Sequence, residues 1–477
     1  MALTRIIFWL GYTCFLFSGL AGLTALFSLF VSEYNYFVFF ITYAFIIICI
    51  GASLFLVSYA TKDVESNSEA VLFLILFWLL MPALLSPPFI FNGYSPSLAS
   101  AYFEAMSALS TTGASALIPE TLPQSLLIWR SLLQWFGGVI TATFGIVILA
   151  ALNLTGTGVH KTSLFTLSRG NLLLKLREIG RLVFVIYGAL AIMCFIFLIG
   201  CGTAIFDALC LSLTAISTGG LAPRSEALAN YINPASAFIL AVFCLFGAAN
   251  IAVIWDIIRL RRLSNIKKFI FDYEHRGLFF ITGFLLLVGL FYAGMQNTYT
   301  VFLDAVFFAT TAGFDYQIIG IEMIPVGLLI AFALVGGSAL STAGGVKLIR
   351  LLLLFRHLGT DLGRLTHPSR IIPVKFNKRI IPDRDFLSIW MYFFGYTLVF
   401  GMGIIGLGAL DMEYTSATIS AAASLSNMGP LLDASFINQT YADFNDNQKM
   451  VLSGLMLAGR VEVLAIFALF SPGFWRQ

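Results

Sequence analysis

The chain has 477 residues, of which 59% are hydrophobic and only 11% charged. No water-soluble globular domain has that balance, so the class is a polytopic membrane protein. Its six cysteines form no Cys-x-x-Cys pair and its four histidines are scattered, which excludes a thiolate or imidazole metal centre. The cysteines read as small buried apolar residues.

Two apolar runs come first, at about 6–31 and 37–60. The first is too long for a signal-peptide core and lacks a small-residue cleavage site, so it is expected to remain as a span. A unit of outer span, dipping loop and inner span then repeats four times. Repeat 1 uses about 70–91, a loop ending at Gly113, and 126–152; repeat 2 uses about 182–200, a loop ending at Gly220, and 235–258. Repeat 3 uses about 277–295, a loop ending at Gly313, and 324–355; repeat 4 uses about 386–410, a loop ending at Gly429, and 449–472. The expected division is 1–66 with two N-terminal transmembrane helices, then pore repeats 67–165, 166–270, 271–375 and 376–477. The expected fold is an all-α polytopic membrane protein: four outer-span/pore-loop/inner-span repeats around a pseudo-fourfold pore, plus the two N-terminal spans.

The loops carry the repeat. Ser110-Thr111-Thr112-Gly113, Ser217-Thr218-Gly219-Gly220, Thr310-Thr311-Ala312-Gly313 and Ser426-Asn427-Met428-Gly429 align without gaps. Thirteen positions upstream of the glycines stand Ser100, Asp207, Thr300 and Ser416, read as helix N-caps. Each helix of about ten residues spans about 15 Å, half of a bilayer's hydrocarbon core. Each segment therefore dips in and returns, and non-helical backbone at that depth needs protein or a water path around it. Glycine lets backbone carbonyls turn inward, and rings of carbonyls replace the water shell of a cation. The negative C-terminal ends of the short helices favour a cation at the same place. The expected ion-binding residues are Thr111, Thr112, Gly113, Thr218, Gly219, Gly220, Thr311, Ala312, Gly313, Asn427, Met428 and Gly429. Met428 departs from the small residues Thr112, Gly219 and Ala312 at its position.

Of the 27 Lys and Arg residues, all but Arg130, Arg224, Lys449 and Arg460 fall before the first span, between repeats or at the C-terminal end. Positive charge gathers on the cytoplasmic side, so both termini are expected there and the loops face outward. Glu104, Asp207, Asp304, Asp315, Asp411, Glu413, Asp433, Asp443 and Asp446 fall on the outer side, where a rim of acids raises local cation concentration.

The inner span of repeat 3 is broken by Gly336-Gly337-Ser338 through Ala343-Gly344-Gly345, and the other inner spans are expected to run unbroken. Such a break sits either in an aqueous place under the loops or at a close helix contact. Arg460 lies about 16 Å into a span, where a charge is a functional candidate. Carbonyls of the broken segment are natural acceptors for its five donors, whereas Glu462, two residues on, faces elsewhere.

These residues resemble the Trk/Ktr/HKT potassium transporter superfamily, over about 70–477. The best-matched stretches are Ser217-Thr218-Gly219-Gly220, Thr310-Thr311-Ala312-Gly313-Phe314, Gly336-Gly337-Ser338 through Ala343-Gly344-Gly345-Val346-Lys347, Asn427-Met428-Gly429-Pro430 and Gly459-Arg460-Val461-Glu462. The two extra N-terminal spans are similar to the Trk branch, bacterial potassium-uptake membrane subunits. The resemblance implies potassium-selective uptake, with potassium as substrate at the loop residues and no covalently bound cofactor. It implies an intramembrane gate at 336–345, with Gly336, Gly337, Gly344, Gly345, Lys347 and Arg460 as gate residues. It further implies a homodimer over a cytosolic TrkA-like regulatory ring that binds NAD(H) or ATP/ADP, in the lipid of a bacterial inner membrane, with no nucleic-acid partner.

The alternative is potassium symport coupled to protons or sodium through the same pore. An alternating-access carrier would show inverted repeats, whereas these four share one orientation. A hydrolase is excluded: Ser338 has no Gly-x-Ser-x-Gly around it and no histidine lies well inside a span to activate it.

Overall fold

A computed structural model describes residues 2–58, 67–151, 172–260, 272–317, 324–367, 373–376, 379–381, 383–435, 439–461, 463 and 466–467. Glu462 and the expected boundaries at 66, 165 and 270 lie outside the described residues. Among the described residues the regular structure is helical, apart from a two-residue antiparallel ribbon, Lys375–Phe376 against Arg379–Ile380, and a parallel bridge between Val335 and Val346.

Helices Ala2–Phe30 and Tyr34–Ser58 pack along each other, close enough that a Cβ on Gly11 would fall 3.0 Å from the Gly51 carbonyl oxygen. The pair leans on repeat 1: Phe17 stacks on Phe77 and meets Phe136 edge-on, and Arg5 pairs with Glu69 at 2.7 Å. The outer helices are Asn67–Leu85, Leu172–Gly200, Tyr273–Ala293 and Asp383–Gly408. With the N-terminal pair they make six helices long and apolar enough to cross a bilayer.

The short helices are Leu98–Leu109, Ile205–Ile216, Thr298–Ala309 and Tyr414–Leu425, twelve residues each. They start three residues earlier than expected. Ser100, Asp207, Thr300 and Ser416 are not the caps; each is the third residue of its helix. The caps are Ser97, Ala204, Asn297 and Glu413, and only Ser97 accepts a helix N–H through its side chain, that of Ser100. A capping motif in a sequence reports a turn, and burial, not the cap, placed these helices: from its third residue on each is mostly buried, while its first two residues stay more open.

Two inner segments are broken rather than one. Repeat 1 has the continuous helix Gln124–Ala151, and repeat 4 has Asp446–Val461. Repeat 3 is split, as expected, into Val326–Ala333 and Leu348–Thr366. The expectation of an unbroken span in repeat 2 is corrected: Pro234–Ala248 turns by 97° into a second helix that begins at Ile251. Asn250 sets this corner. Its side-chain Oδ1 accepts the Ala252 N–H at 3.0 Å, capping the second helix as asparagine does well. Ser338 and Leu340 of the repeat 3 break then take the backbone groups that the corner frees: Ser338 N–H donates to Ala248 O and Ile251 N–H donates to Leu340 O. Each break supplies the other with backbone partners, which is what makes two broken helices tolerable at depth.

Candidate functional site

Each short helix ends in the same way. The residue two before the loop glycine takes a left-handed conformation, with φ of 53° at Thr111, 50° at Thr218, 58° at Thr311 and 50° at Asn427. In loops 1, 2 and 4 the next N–H reaches back to the helix: Thr112 to Ser107, Gly219 to Thr214 and Met428 to Ala423. That is a Schellman closure, whose left-handed position usually holds glycine. Here it holds threonine three times, at a strain of roughly 1–3 kcal/mol for each residue. A branched residue kept in a poor conformation implies that its side chain is needed where it points.

The loop glycines close a ring. A Cβ on Gly113 would fall 2.0 Å from the Gly219 carbonyl oxygen, and one on Gly220 would fall 2.0 Å from that of Ala312. Gly313 abuts Pro430 and Gly429 abuts Ala114, so the loops touch in the order 1, 2, 3, 4 and back to 1. Gly113, Gly220 and Gly313 have positive φ, but Gly429 does not. It opens a 3-10 turn, Gly429–Leu431, and its N–H donates to Thr112 O at 2.6 Å. The fourth quadrant therefore differs from the others, at the loop where Met428 breaks the pattern of small residues.

Beneath the glycines the left-handed side chains meet the broken segment of repeat 3. Thr218 and Thr342 share a hydroxyl bond at 3.0 Å, and Gly344 N–H donates to Thr311 Oγ1 at 3.0 Å. Against loop 4, a Cβ on Gly344 would fall 1.6 Å from Ser426 O. Loop 1 is reached through Arg460, which donates to Ser110 O and Thr111 Oγ1 and, at 2.7 Å, to Thr342 O. Asn427 instead donates to Thr112 Oγ1 at 2.9 Å and Met456 O at 3.1 Å. One segment thus touches all four loops, directly or through Arg460.

The segment is closed at its neck. Gly336 N–H donates to Val346 O, Val346 N–H to Leu334 O, and Leu348 N–H to Gly337 O. A Cβ on Gly336 would fall 1.7 Å from Gly344 O, so the neck excludes any side chain there. Lys347 Nζ donates to Ser341 O and Ala343 O at 3.1 and 2.6 Å, tying the segment to itself. Arg460 is buried, and its acceptors at loop 1 lie at the C-terminal end of a short helix, whose dipole favours a cation. The guanidinium sits where that dipole would also hold a free cation.

A second set of glycines escaped the sequence reading. A Cβ on Gly137, Gly247 or Gly459 would fall 1.8, 2.4 or 2.3 Å from the carbonyl oxygen of Leu109, Ile216 or Leu425. Each of these oxygens belongs to the last residue of a short helix, so three inner helices dock at equivalent points. The spacing from each loop glycine to its partner varies, which hid the pattern.

On the other face the ring opens into a cavity of about 510 Å³, lined by Gly113, Gly220, Gly313, Asp304, Asp315 and Asp433 among others. Burial pushes the Asp315 carboxyl up to about 6; burial, with the Asp315 charge, pushes Asp433 up to about 6. The expected acidic rim is thinner than the sequence suggested. Glu104 is buried and turns back to its own loop, accepting from Ala116 N, Leu117 N and Ser115 Oγ. Asp207 pairs with Arg224 at 2.8 Å, and Asp304 accepts the Tyr316 N–H at 3.1 Å. Glu104 and Asp304 both stand nine positions before their loop glycines, a shared placement that lies within the aligned thirteen positions of repeats 1 and 3. Among the described residues no cluster of His, Cys, Asp and Glu suits a metal ion. The six cysteines are all free, and Cys49 is exposed rather than buried as expected.

Residues 35–476 match the model of the TrkH family, described as cation transport proteins. The chain is 31% identical over 490 residues to the Trk system potassium uptake protein TrkH of Salmonella typhimurium, covering 100% of this chain and 99% of that one. It is 30% identical over 455 residues to TrkH of Vibrio parahaemolyticus, covering 92% of each. The crystal structure of the potassium transporter TrkH from Vibrio parahaemolyticus superposes with a TM-score of 0.86 at 30% identity, covering 100% of both chains.

Proposed function

Because the chain belongs to the TrkH family of cation transport proteins, we propose that it takes potassium into the cell across the plasma membrane. The ion passes through the ring at Thr111–Gly113, Thr218–Gly220, Thr311–Gly313 and Asn427–Gly429, where backbone carbonyls stand in for its water shell. The observation that carries this reading is the ring closure, in which each loop glycine lies against the next loop's backbone or proline with no room for a side chain. Protein of this family moves an ion rather than converting a substrate, so the chain is not an enzyme.

The segment 336–345 is the gate and Arg460 its latch. The segment's bonds to the loop bases at Thr218, Thr311 and, through Arg460, Thr111 support this. Lys347, with Gly336, Gly337, Gly344 and Gly345, keeps the closed shape. The acid-lined cavity faces outward, while the termini and the basic linkers between repeats face the cytoplasm of a bacterial inner membrane. There the chain works as a homodimer over a cytosolic TrkA-like ring that responds to NAD(H) or ATP/ADP; both features rest on the likeness to the family.

The test is full-length protein in a planar bilayer under a potassium gradient. A reversal potential fixed by potassium alone supports a gated pore. A reversal potential that moves with an imposed proton or sodium gradient supports symport through the same ring, and no potassium current at all overturns both.

A further inference from the structure

The corner of inner segment 2 and the start of outer helix 3 meet in a buried polar node that transport through the ring does not require. Asn250, Glu274 and His275 are 0%, 0% and 1% exposed. Asn250 Nδ2 donates to Glu274 Oε2 at 2.9 Å. The Asn250 N–H donates to His275 Nε2 at 3.0 Å. The other oxygen of the same carboxylate, Oε1, accepts the Ala339 N–H at 3.2 Å, and Ala339 lies within the broken segment.

Two features fit a carboxylate to this place. Glu274 is in the first turn of its helix, where the dipole favours a negative charge. Its N–H is also held by the Asp272 side chain at 3.1 Å, which sets that turn. A buried charge is tolerated only when its lone pairs are used, and here both oxygens accept hydrogen bonds. One oxygen holds the repeat 3 segment and the other holds the repeat 2 corner. The corner in turn bonds the segment through Ser338 and Leu340. Asn250 and Glu274 also bracket the basic stretch between repeats 2 and 3, which runs from Arg259 to Lys268.

We infer that Glu274, with Asn250, is a positioning pair that latches the 336–345 segment at Ala339, a point separate from the Arg460 contact at Thr342, and couples its opening to the linker between repeats 2 and 3. This rests on the reading of the segment as the gate. Arg460 ties the segment to loop 1, whereas Glu274 ties it to the helices that flank the linker. A pull on that linker therefore reaches Ala339 through the Glu274 carboxylate, beside the backbone bonds of the corner to Ser338 and Leu340. Opening requires the Ala339–Glu274 and Asn250–Glu274 bonds to give way, so weakening either raises resting flux without touching the ring that selects the ion.

The pair allows a reciprocal exchange. Glu274→Gln keeps an acceptor for Ala339 but sets two amide NH₂ groups against each other. Asn250→Asp alone sets two carboxylates against each other. Together, Asn250→Asp and Glu274→Gln reverse the donor and acceptor, keep the net charge, and leave an aspartate at the corner that can still cap the second helix. The measurement is rubidium uptake into liposomes carrying the full chain, with the potassium-to-sodium ratio read in the same preparation. Each single variant is expected to raise resting uptake on the order of tenfold, as the loss of one charge-assisted bond allows. The double variant is expected to return to within about twofold of the parent, with the ion ratio constant throughout. Asn250→Ser, which still caps the helix but cannot reach Glu274, is expected to match the single variants and decides the question if Glu274→Gln does not accumulate.

Uptake at the parental level in Glu274→Gln and Asn250→Ser overturns the latch. A double variant no better than the singles overturns the pairing. Arg460→Ala is the control that separates the two readings. If it raises uptake while the Glu274 variants do not, the gate stands and this inference fails. If neither raises uptake, the gate itself is at fault.

Discussion

On one face of the loop ring the chain leaves a cavity of about 510 Å³; beside the broken segment, lined by Arg460, Thr141 and Tyr392 and by none of the loop glycines, is a pocket of about 30 Å³, room for a water or two. The ring is built from four near-copies of one turn, yet one face opens into the large cavity while the broken segment and Arg460 bond the other. A fourfold repeat is enough to make a ring, because each copy contributes one quarter. It cannot make a plug, which has to lie across the axis and so come from a single copy. Repeat 3 supplies the segment that lies under the loops and repeat 4 the arginine bonded to it, while repeats 1 and 2 supply surfaces they contact. The larger asymmetry is carried by inner segments, and among the loops the fourth departs at Met428 and Gly429.

That contrast is broken most severely at Arg460. Its guanidinium makes charge-assisted bonds to both the ring base and Thr342. Losing two such bonds shifts a closed segment toward open by on the order of a hundredfold. Arg460→Ala is therefore expected to raise rubidium uptake most. Arg460→Lys, which keeps the charge but not the planar fork, should fall between it and the parent. Selectivity stays constant in both. Slower uptake by Arg460→Ala at equal expression would count against a latch.

Shortening the segment between Ser338 and Ala343 removes the plug while leaving its neck in place. Uptake is expected to rise by about tenfold or more, with the same ion preferred, since a strand-like break with few helical bonds is the least stable part of its span. If the shortened protein accumulates normally and its rate is unchanged, the break is a packing surface and not a gate.

Gly113→Ser acts on the ring itself. Its Cβ would press on the Gly219 carbonyl oxygen at 2.0 Å, and φ of 81° is strained for any side chain, so loops 1 and 2 must part. The ratio of rubidium to sodium uptake is expected to fall by roughly tenfold, about 1.4 kcal/mol of lost discrimination. An unchanged ratio would remove Gly113 from the lining.

The smallest effect belongs to the wide face. Asp315 and Asp433 are raised to about 6, so both are charged at pH 7.5 and both take up protons as pH falls through 6 toward 5. A raised acid favours the folded state below its ordinary value near 3.8 and loses that contribution as pH rises through 6, so stability does not fall on acidification from this pair. Function moves the other way, because a neutral mouth attracts fewer cations. The KM for potassium is expected to rise severalfold between pH 7.5 and 5, and Asp315→Asn with Asp433→Asn should flatten that rise and start from the higher KM. A pH profile unchanged in the double variant would remove Asp315 and Asp433 as the groups behind the rise.

Much was legible without coordinates. The hydrophobic content set the class, the aligned Ser/Thr-rich loops set the number of repeats, and the four glycines in ten residues located the break in repeat 3. These are local signals: a span needs a run of apolar residues, and a turn needs glycine at a defined offset. What the tertiary structure alone decided is contact between segments far apart in the chain. Inner segment 2 bends at Ala249–Asn250 with no proline and only the single Gly247 nearby to announce it, and the broken segment of repeat 3 supplies the missing partners. The strain at Thr111, Thr218 and Thr311 was invisible, since a threonine after a helix reads as an ordinary polar end, and only their bonds to Arg460, Thr342 and Gly344 give the branched side chain a reason to be there. Glu104 read as an outer acid from its place in the chain and became an internal brace through backbone N–H groups twelve and thirteen residues away. Sequence pattern records what each segment must bury or expose; which partner satisfies a polar group is settled only when the segments pack.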